Sequence, residues 1–262
     1  MSAPGIPAAL VRALQDSRHL MVLCGSGVSA ESGVPTFRDA MTGLWERYDP
    51  MQLATPEAFA SDPALVWQWY RWRRQLVHEV APNPAHHALA ELERLLPRLT
   101  LITQNVDGLH QRAGSADVVE FHGNLLTDIC SSPGCGYRGD GGEPADEASG
   151  PPPCPECGAG LRPAVVWFGE AIPADALDRA FAAVADCDLF FSVGTSSLVY
   201  PAAGLAEQAL AAGVPVVEIN PNPTPLTPAA DHVISGPAGT VLPAVVEALQ
   251  QPAPRRQGRG QD

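Results

Sequence analysis

The stretch LMVLCGSGVSA, residues 20–30, decides the fold, because an apolar run of strand length leads directly into a glycine-rich loop. Its last six residues fit the pattern G-x-G-x-x-G/A, which places a dinucleotide pyrophosphate between the first strand of an α/β sheet and a following helix. Glycines suit that place because a Cβ would hold backbone N–H groups away from a phosphate. We therefore expect a nucleotide loop continued by a helix N-terminus, although an ordinary strand-to-helix turn has the same features.

The rest of the chain repeats the alternation of strand and helix that begins at this loop. Short apolar runs end in Gly, Asn or Ser at residues 100–105, 118–123, 188–196, 214–220 and 232–236. Such runs are typical of strands covered on both faces of a parallel sheet. Helical patterns lie between them, at 8–17, 173–185, 201–212 and 240–249, and after Asn83, a predicted N-cap with Pro84 at the first helical position. The alternation predicts an α/β fold, a Rossmann-like doubly wound parallel sheet.

The composition limits the classes of protein to which the chain can belong. It has 262 residues, 29 acidic against 16 basic side chains, and a formal net charge of -13. Nucleic-acid surfaces need clustered positive charge, and a membrane span needs roughly 18 consecutive apolar residues; the sequence has neither. The N-terminus also lacks a basic region followed by an apolar run. These features predict a cytoplasmic protein with neither a nucleic acid nor a membrane as its partner.

Four of the six cysteines form two pairs with the spacing C-x4-C-x18-C-x2-C, at Cys130, Cys135, Cys154 and Cys157. Two such knuckles can present four thiolates tetrahedrally to Zn²⁺ and leave no open coordination position. We therefore predict a structural zinc ion that holds together a segment too poor in apolar residues to fold alone.

Two segments depart from the alternation and predict a second domain. Residues 40–82 show two helical patterns and no strand, and residues 129–165 contain the cysteine pairs. We assign both to a small helical and zinc-binding domain. The Rossmann-like domain then comprises 1–39, 83–128 and 166–250, and the polar tail 251–262 is predicted to be disordered.

Polar residues close several of the apolar runs, where ligands bind in doubly wound sheets. These strand-end residues are Gln104, Asn105, Asp107, His122, Gly194, Thr195, Ser196 and Asn220. His122 is the candidate general base, because imidazole titrates near neutral pH. His110 is a weaker candidate, since we place it in a surface helix. Turn and cap residues, or a structural histidine, would account for each position taken singly.

An ordinary dehydrogenase would carry an acidic residue about 20 positions beyond the glycine loop, at the end of a second strand. The interval instead reads SGVPTFRDAMTGLWERY, which predicts no strand. A classical dehydrogenase is therefore the weakest interpretation.

Taken together, these motifs resemble the sirtuin family of NAD-dependent protein-lysine deacylases. The matching stretches run in family order: GSGVSAESGVPTFR (25–38), TQNVDGLHQRAGS (103–115), EFHGN (120–124), the cysteine pairs, VVWFGE (165–170), VGTSSLVYPAA (193–203), EIN (218–220) and GPAGTVLP (236–243). The resemblance implies a cleft between the two domains where NAD and an acyl-lysine protein or peptide meet. It further implies that free lysine, nicotinamide and O-acyl-ADP-ribose are the products.

The resemblance also implies roles for individual residues. His122 would be the general base, and Asn105 the second catalytic residue. NAD would be bound by Gly25, Ser26, Gly27, Ala30, Phe37, Arg38, Gln104, Asn105, Asp107, Gly194, Thr195, Ser196, Asn220 and Ala238. The substrate backbone would pair as an added strand with Val166, Trp167, Phe168, Gly169 and Glu170.

The stretch YRWRRQ, residues 70–75, indicates an acyl preference. Tyr70 and Arg73 lie three residues apart and share a face of a helix. From composition alone, the arginines form a solvated face and the aromatics belong to the core. The pair nevertheless resembles the Tyr-x-x-Arg of sirtuins that remove succinyl, malonyl and glutaryl groups, with Ala54 as the small residue that widens the acyl pocket. The resemblance implies a clamp on the distal carboxylate.

Two functions of other classes remain open at the level of the sequence. A protein ADP-ribosyltransferase needs the same activation of NAD but no acyl-lysine. A non-catalytic NAD-sensing module would keep the fold without turnover.

Overall fold

The structure is a computed structural model that describes residues 5–34, 48–141 and 150–251. Its main sheet has six parallel strands in the order β3-β2-β1-β7-β8-β9. Their bounds are β1 Leu20–Cys24, β2 Leu99–Thr103, β3 Val118–Glu120, β7 Leu189–Val193, β8 Val216–Asn220 and β9 His232–Ser235. β1 lies between β2 and β7, so the strand order reverses at β1. The carboxyl ends of β1 and β7 therefore frame the crevice where doubly wound folds bind ligands.

Helices cover both faces of this sheet, as near-continuous strand burial predicts. One core layer contains residues of α1 (Ala8–Asp16), α5 (Pro84–Leu95) and α9 (Ala238–Gln250), and the other contains residues of α7 (Ala174–Asp186) and α8 (Ala203–Ala211). β1, β2 and β7 are buried along their whole length. The α/β prediction is confirmed.

The N-cap prediction at Asn83 is also confirmed. Its side chain accepts the N–H of Ala85 at 2.8 Å, and its own N–H is donated to Nδ1 of His86 at 3.2 Å. The amide of Asn83 in addition donates to the carbonyl of Val28 at 2.8 Å and to the hydroxyl of Ser32 at 3.0 Å. The start of α5 is therefore tied directly to the glycine loop.

A second, three-stranded antiparallel sheet has the order β5-β4-β6. Its strands are β4 Gly123–Cys130, β5 Arg138–Asp140 and β6 Leu161–Val165, and the helices beside it are α2 Pro50–Leu53, α3 Pro56–Ser61 and α4 Pro63–Glu79. α4 packs on this sheet through two apolar clusters, one of which includes Cys130 and Cys154. β4 crosses the predicted boundary at residue 128; the domain limits otherwise remain a prediction.

Three local predictions are corrected by the structure. The glycine loop is followed by two short 3-10 turns, Ser26–Val28 and Ala30–Ser32, where the sequence predicted an α-helix. The apolar run 118–123 is a strand only to Glu120, because the chain then turns into β4. The described part of residues 40–82 contains three helices where two were predicted. Among the described residues, no helix combines the length and apolarity that a bilayer crossing requires.

Candidate functional site

The glycine loop is built by close contact with the turn after β7. The N–H of Gly27 donates to the carbonyl of Gly194 at 2.9 Å, and Gly194 has a positive φ of 60°. A Cβ at Gly25 would lie 2.6 Å from that carbonyl oxygen, and one at Gly27 would lie 2.9 Å from the Gly194 Cα. These glycines are therefore required for packing one loop on another, and not only for approach to a phosphate.

Ser29 connects three polar side chains at the base of the crevice. Its hydroxyl accepts Nδ2–H of Asn105 at 3.0 Å and lies 3.4 Å from Nε2 of His86. It also hydrogen-bonds the carboxylate of Asp107. Because His86 accepts the Asn83 N–H at Nδ1, its proton lies on Nε2 and points to Ser29. Sequence reasoning missed Ser29 and His86, since both are ordinary residues of a turn and a helix start.

Asn105 and Asp107, which follow β2, are brought together with the glycine loop as expected. Asn105 donates a second time from Nδ2, to the carbonyl of Gly25 at 3.1 Å, while Asp107 accepts the N–H of Leu109 at 3.0 Å. Burial raises the pKa of Asp107, opposed by its hydrogen bonds from Leu109 and Ser29 and by nearby arginines. Their polar groups thus line one wall of the crevice.

His122 lies at the junction of the two sheets. Phe121 still pairs with Thr103 of β2, while Gly123, with a φ of 79°, opens β4; a Cβ at Gly123 would collide with the carbonyl of Ala164. His122 Nδ1 lies 3.1 Å from the carbonyl of Gln104, so Nδ1 carries the proton and Nε2 keeps a lone pair. Burial lowers the pKa of His122 from 6.5, and the bond to Gln104 partly offsets this. A neutral imidazole held in this way is suited to accept a proton near pH 7.

His110 is not on the surface, and that prediction is wrong. Its ring is buried 4.8 Å from the ring of His86, and neither of its nitrogens has a hydrogen-bond partner among the described residues. Burial lowers the pKa of His110 to about 3 and that of His86 to about 4. His110 is therefore a neutral core residue below the crevice, and His122 is the better-placed base.

The predicted adenosine-side residues surround the ends of β7 and β8. Asn220 Nδ2 donates to the carbonyl of Thr195 at 2.7 Å, and the buried Thr195 hydroxyl contacts Ser192 and Ser197. Ser196, like Ser26 and Ala30 across the crevice, is exposed, and Ala238 is buried at the start of α9. A contact that the sequence did not indicate closes this end: the carboxylate of Glu31 accepts the N–H of Gly239 at 2.6 Å. Phe37 and Arg38 lie outside the described residues.

The segment from Val166 to Glu170 leaves β6 and passes between His122 and Ala54. The N–H of Val166 donates to the carbonyl of His122, and that of Phe168 to the carbonyl of Ala54, both at 2.9 Å. Glu170 accepts the N–H of Trp167 at 2.8 Å and forms two bonds with Arg162, whose guanidinium covers the Trp167 ring. These N–H groups are therefore committed within the chain, so an added strand would have to use other backbone groups of the segment, which turns at Gly169.

Tyr70, Arg73 and Ala54 converge on the same segment. Ala54, Tyr70 and Trp167 share one apolar cluster, and Trp167 Nε1–H donates to the Tyr70 hydroxyl at 2.8 Å. The guanidinium carbon of Arg73 lies 5.6 Å from the centre of the Tyr70 ring. Burial raises the pKa of Tyr70 to about 12, so the phenol stays protonated, and Arg73 also hydrogen-bonds it. The aromatics belong to the core, as composition alone predicted.

The four paired cysteines converge on one point. Their Sγ atoms all lie within 4.8 Å of one another, with Cys130–Cys157 at 3.4 Å and Cys135–Cys154 at 3.8 Å. Four thiolates at about 2.3 Å from a zinc ion stand roughly 3.8 Å apart in a tetrahedron. Because thiolates are preferred zinc ligands, both the spacing and the chemistry of this cluster fit a structural Zn²⁺ site.

Known proteins share this arrangement. The Sir2 family profile matches residues 25–201. A relative from Methylococcus capsulatus, named NAD-dependent protein deacylase, is 52% identical over 249 residues, which cover 94% of this chain and 98% of that protein. A crystal structure of a Sir2 homologue–NAD complex has a TM-score of 0.88 at 46% identity and covers 95% of this chain and 96% of that one. A Sir2 protein with a deacetylated p53 peptide and 3′-O-acetyl ADP ribose has a TM-score of 0.78 at 32% identity, with coverages of 91% and 96%.

Proposed function

The chain belongs to the Sir2 family, and from this premise we propose that it is an NAD-dependent protein-lysine deacylase with acyl-lysine proteins or peptides as substrates. The observation that carries this proposal is His122 at the junction of the two sheets. Its Nδ1 proton is held by the Gln104 carbonyl, and its Nε2 is left as a base. Asn105 and Asp107 lie on the adjoining wall, fixed through Ser29.

NAD supplies the ribose carbon that accepts the acyl oxygen and nicotinamide as the leaving group. The crevice fits this co-substrate because it lies at the carboxyl ends of β1 and β7, where the strand order reverses, and because Asn105 is held there against Gly25 and Ser29. We assign the nicotinamide ribose to Gln104, Asn105 and Asp107. The phosphates and adenosine are assigned to Gly25, Ser26, Gly27, Ala30, Gly194, Thr195, Ser196, Asn220 and Ala238. The same assignment for Phe37 and Arg38 rests on the sequence.

In the reaction, His122 accepts a proton from a ribose hydroxyl at Nε2, and the Gln104 carbonyl stabilises the imidazolium that forms. Asn105 holds polar groups of the nicotinamide end in place, since its own amide is fixed by Gly25 and Ser29. The segment Val166, Trp167, Phe168, Gly169 and Glu170 presents the acyl-lysine to this base. Exclusion of water by Val166 and Trp167 protects a cationic transition state from hydrolysis.

We further propose that negatively charged acyl groups, such as succinyl and malonyl, are removed as well as acetyl. Tyr70 and Arg73 support this because the Tyr70 hydroxyl, which accepts from Trp167, and the Arg73 guanidinium lie side by side and hydrogen-bond each other. A carboxylate of the acyl group would accept the Tyr70 O–H and a charge-assisted bond from Arg73. Ala54 leaves room beside them.

The first test compares NAD-dependent removal of succinyl and acetyl from one lysine peptide by mass spectrometry. His122→Ala should lower both activities by at least about a hundredfold, since general bases contribute about 10² to 10⁴ in rate. The exposed His87, which the site does not contain, provides the matched control His87→Ala. If nicotinamide is released, the acyl group stays and ADP-ribose becomes attached to the peptide, the protein is an ADP-ribosyltransferase. If there is no turnover at all, it is an NAD-sensing module.

The acyl preference has a separate test in Arg73→Met. We expect the kcat/KM for desuccinylation to fall about 10- to 100-fold, because a charge-assisted bond is worth roughly 1.5 to 3 kcal/mol. Deacetylation should fall much less, because acetyl offers no carboxylate. Equal losses for the two peptides would refute the clamp while leaving the deacylase assignment intact.

A further inference from the structure

Arg74, the last of the three arginines in YRWRRQ, forms a buried ion pair. Arg74 is only 6% exposed and forms an ion pair with Asp128 of β4, which is 2% exposed. Arg71 and Arg73, by contrast, are only partly buried. Buried charges are retained only when they are paired and hydrogen-bonded, so this contact fixes α4 in one position.

The guanidinium of Arg74 is bonded on several sides. Its Nε donates to the carbonyl of Leu125 at 2.6 Å, and one terminal nitrogen also approaches the carbonyl of Thr127 at 3.4 Å. A Cβ at Gly141 would lie 2.9 Å from the guanidinium carbon, so β4 and the chain after β5 enclose it. The planar guanidinium thus has three acceptors on β4, the carbonyls of Leu125 and Thr127 and the carboxylate of Asp128.

α4 also contacts the cysteine module, by which we mean strands β4, β5 and β6 with Cys130, Cys135, Cys154 and Cys157. Arg74 lies 5.2 Å from the ring centre of Trp67, two turns earlier on the helix. Trp67 is fully buried and belongs to the apolar cluster of Cys130, Cys154 and Leu161. Asp128 is two residues before Cys130 on β4. α4 is therefore attached to the cysteine module at two points, through Trp67 and through Arg74.

α4 also carries the proposed acyl clamp. Tyr70 lies one turn before Arg74, and Arg73 is its immediate neighbour. We propose that Arg74, through its ion pair with Asp128, is a positioning residue for acyl selectivity: it fixes the rotation of α4 on the cysteine module and so sets Tyr70 and Arg73 against the acyl group. This inference rests on the proposed function, and it makes the cysteine module a determinant of substrate class.

The experiment measures kcat/KM for succinyl-lysine and acetyl-lysine peptides of one sequence. Arg74→Met alone leaves Asp128 buried without a partner, so the main variant is Arg74→Met/Asp128→Val, because replacing both ions of a buried pair by apolar groups is often tolerated. Its ratio of desuccinylation to deacetylation should fall about 5- to 20-fold, a smaller loss than direct removal of the clamp gives. Deacetylation should stay within about twofold, since the acetyl site does not use α4's charges.

A matched control and a conservative variant accompany it. Arg94→Met breaks an exposed ion pair with Glu91 on α5 and should leave the ratio unchanged. Arg74→Lys keeps the charge for Asp128 but loses the fork, so it should give an intermediate ratio. Zinc content and the affinity for the succinyl peptide, measured by calorimetry, provide readouts that do not depend on turnover.

The double-mutant cycle with Arg73→Met separates the possible outcomes. If Arg74 acts through the clamp, the change in ratio disappears when Arg73 is already absent. If Arg73→Met lowers the ratio but the Arg74/Asp128 variant behaves like Arg94→Met, the positioning role is overturned and the clamp stands. If Arg73→Met leaves the ratio unchanged, the proposed acyl clamp fails, and the inference fails with it.

Discussion

At the scale of the residue, the properties of His122 follow from one backbone carbonyl and from burial. The Gln104 carbonyl determines which nitrogen carries the proton, and partial burial disfavours the charged ring. Neither effect can be read from the letters EFHGN. The sequence favoured His122 as the general base, which stays a prediction, and only the structure showed that its competitor His110 is buried beside His86.

This environment predicts the pH dependence of the reaction. The base must be neutral, so kcat/KM should rise with pH through the pKa of His122 and be fully developed above it. Because burial lowers that pKa from 6.5, the acidic limb should lie below pH 6.5, and activity at pH 7 should be near its plateau. A pH profile of deacetylation for the wild type and His87→Ala checks this. An acidic limb centred above pH 6.5 in both proteins would contradict the assigned environment.

At the scale of the element, the patterns in the sequence were sufficient where local chemistry decides the structure. The apolar runs predicted all six strands of the main sheet, and Asn83-Pro84 predicted the start of α5. The helix expected after the glycine loop was wrong because long-range contacts decide that segment. Ser29 turns toward Asn105, and Glu31 reaches Gly239, 208 residues away in sequence. No local propensity encodes such contacts.

Substitution of Asn83 tests whether the N-cap of α5 also holds the glycine loop in place for NAD binding. Asn83→Ala should lower the free energy of unfolding by about 2 kcal/mol, because it removes an N-cap worth roughly 1 kcal/mol and leaves the Val28 carbonyl without its buried donor. It should also raise the KM for NAD several-fold, since the glycine loop loses its tie to α5.

The control for this variant is an N-cap residue with no hydrogen bond to the glycine loop. Thr55→Ala removes the bond from Ala58 N–H that caps α3, at about 1 kcal/mol by the same rule. Urea titrations and NAD saturation curves distinguish the two variants. If Thr55→Ala raised the KM for NAD as much as Asn83→Ala does, the tie to the glycine loop would have no special role.

At the scale of the whole molecule, the proposed site lies where two sheets meet, and the sequence indicated this only indirectly. The spacing of the cysteines and the family resemblance predicted a small zinc-binding domain, and the convergence of four Sγ atoms agrees with it. The joint itself, with His122 between β3 and β4 and Val166 bonded to its carbonyl, depends on tertiary contacts across about 40 residues. A sequence pattern identifies the residues that meet at the junction of the two sheets but not how they are positioned relative to one another.

The module around the cysteines has a small apolar cluster of its own, which predicts dependence on zinc. Its buried members are Trp67, Cys130, Cys154 and Leu161. Without the metal, four thiols would have to remain packed within 4.8 Å with little apolar burial to hold them, and metal binding here contributes directly to folding. Chelation should therefore release one zinc ion per chain, lower the midpoint of thermal unfolding and abolish deacylation. Activity should return when zinc is added back.

Cysteine variants make this prediction specific to the cluster. Cys157→Ser alters an exposed ligand, so it should reduce bound zinc well below one ion per chain and lower the unfolding midpoint. Cys187→Ala alters a buried cysteine that belongs to the core layer of α7 and α8 and not to the zinc cluster, so it should keep one zinc ion while costing some stability. A colorimetric zinc assay after unfolding, together with thermal scans, measures both. If Cys157→Ser retained a full ion and wild-type activity, the cluster would not hold the module together, and the joint that positions His122 would have to be stabilised by the two sheets alone.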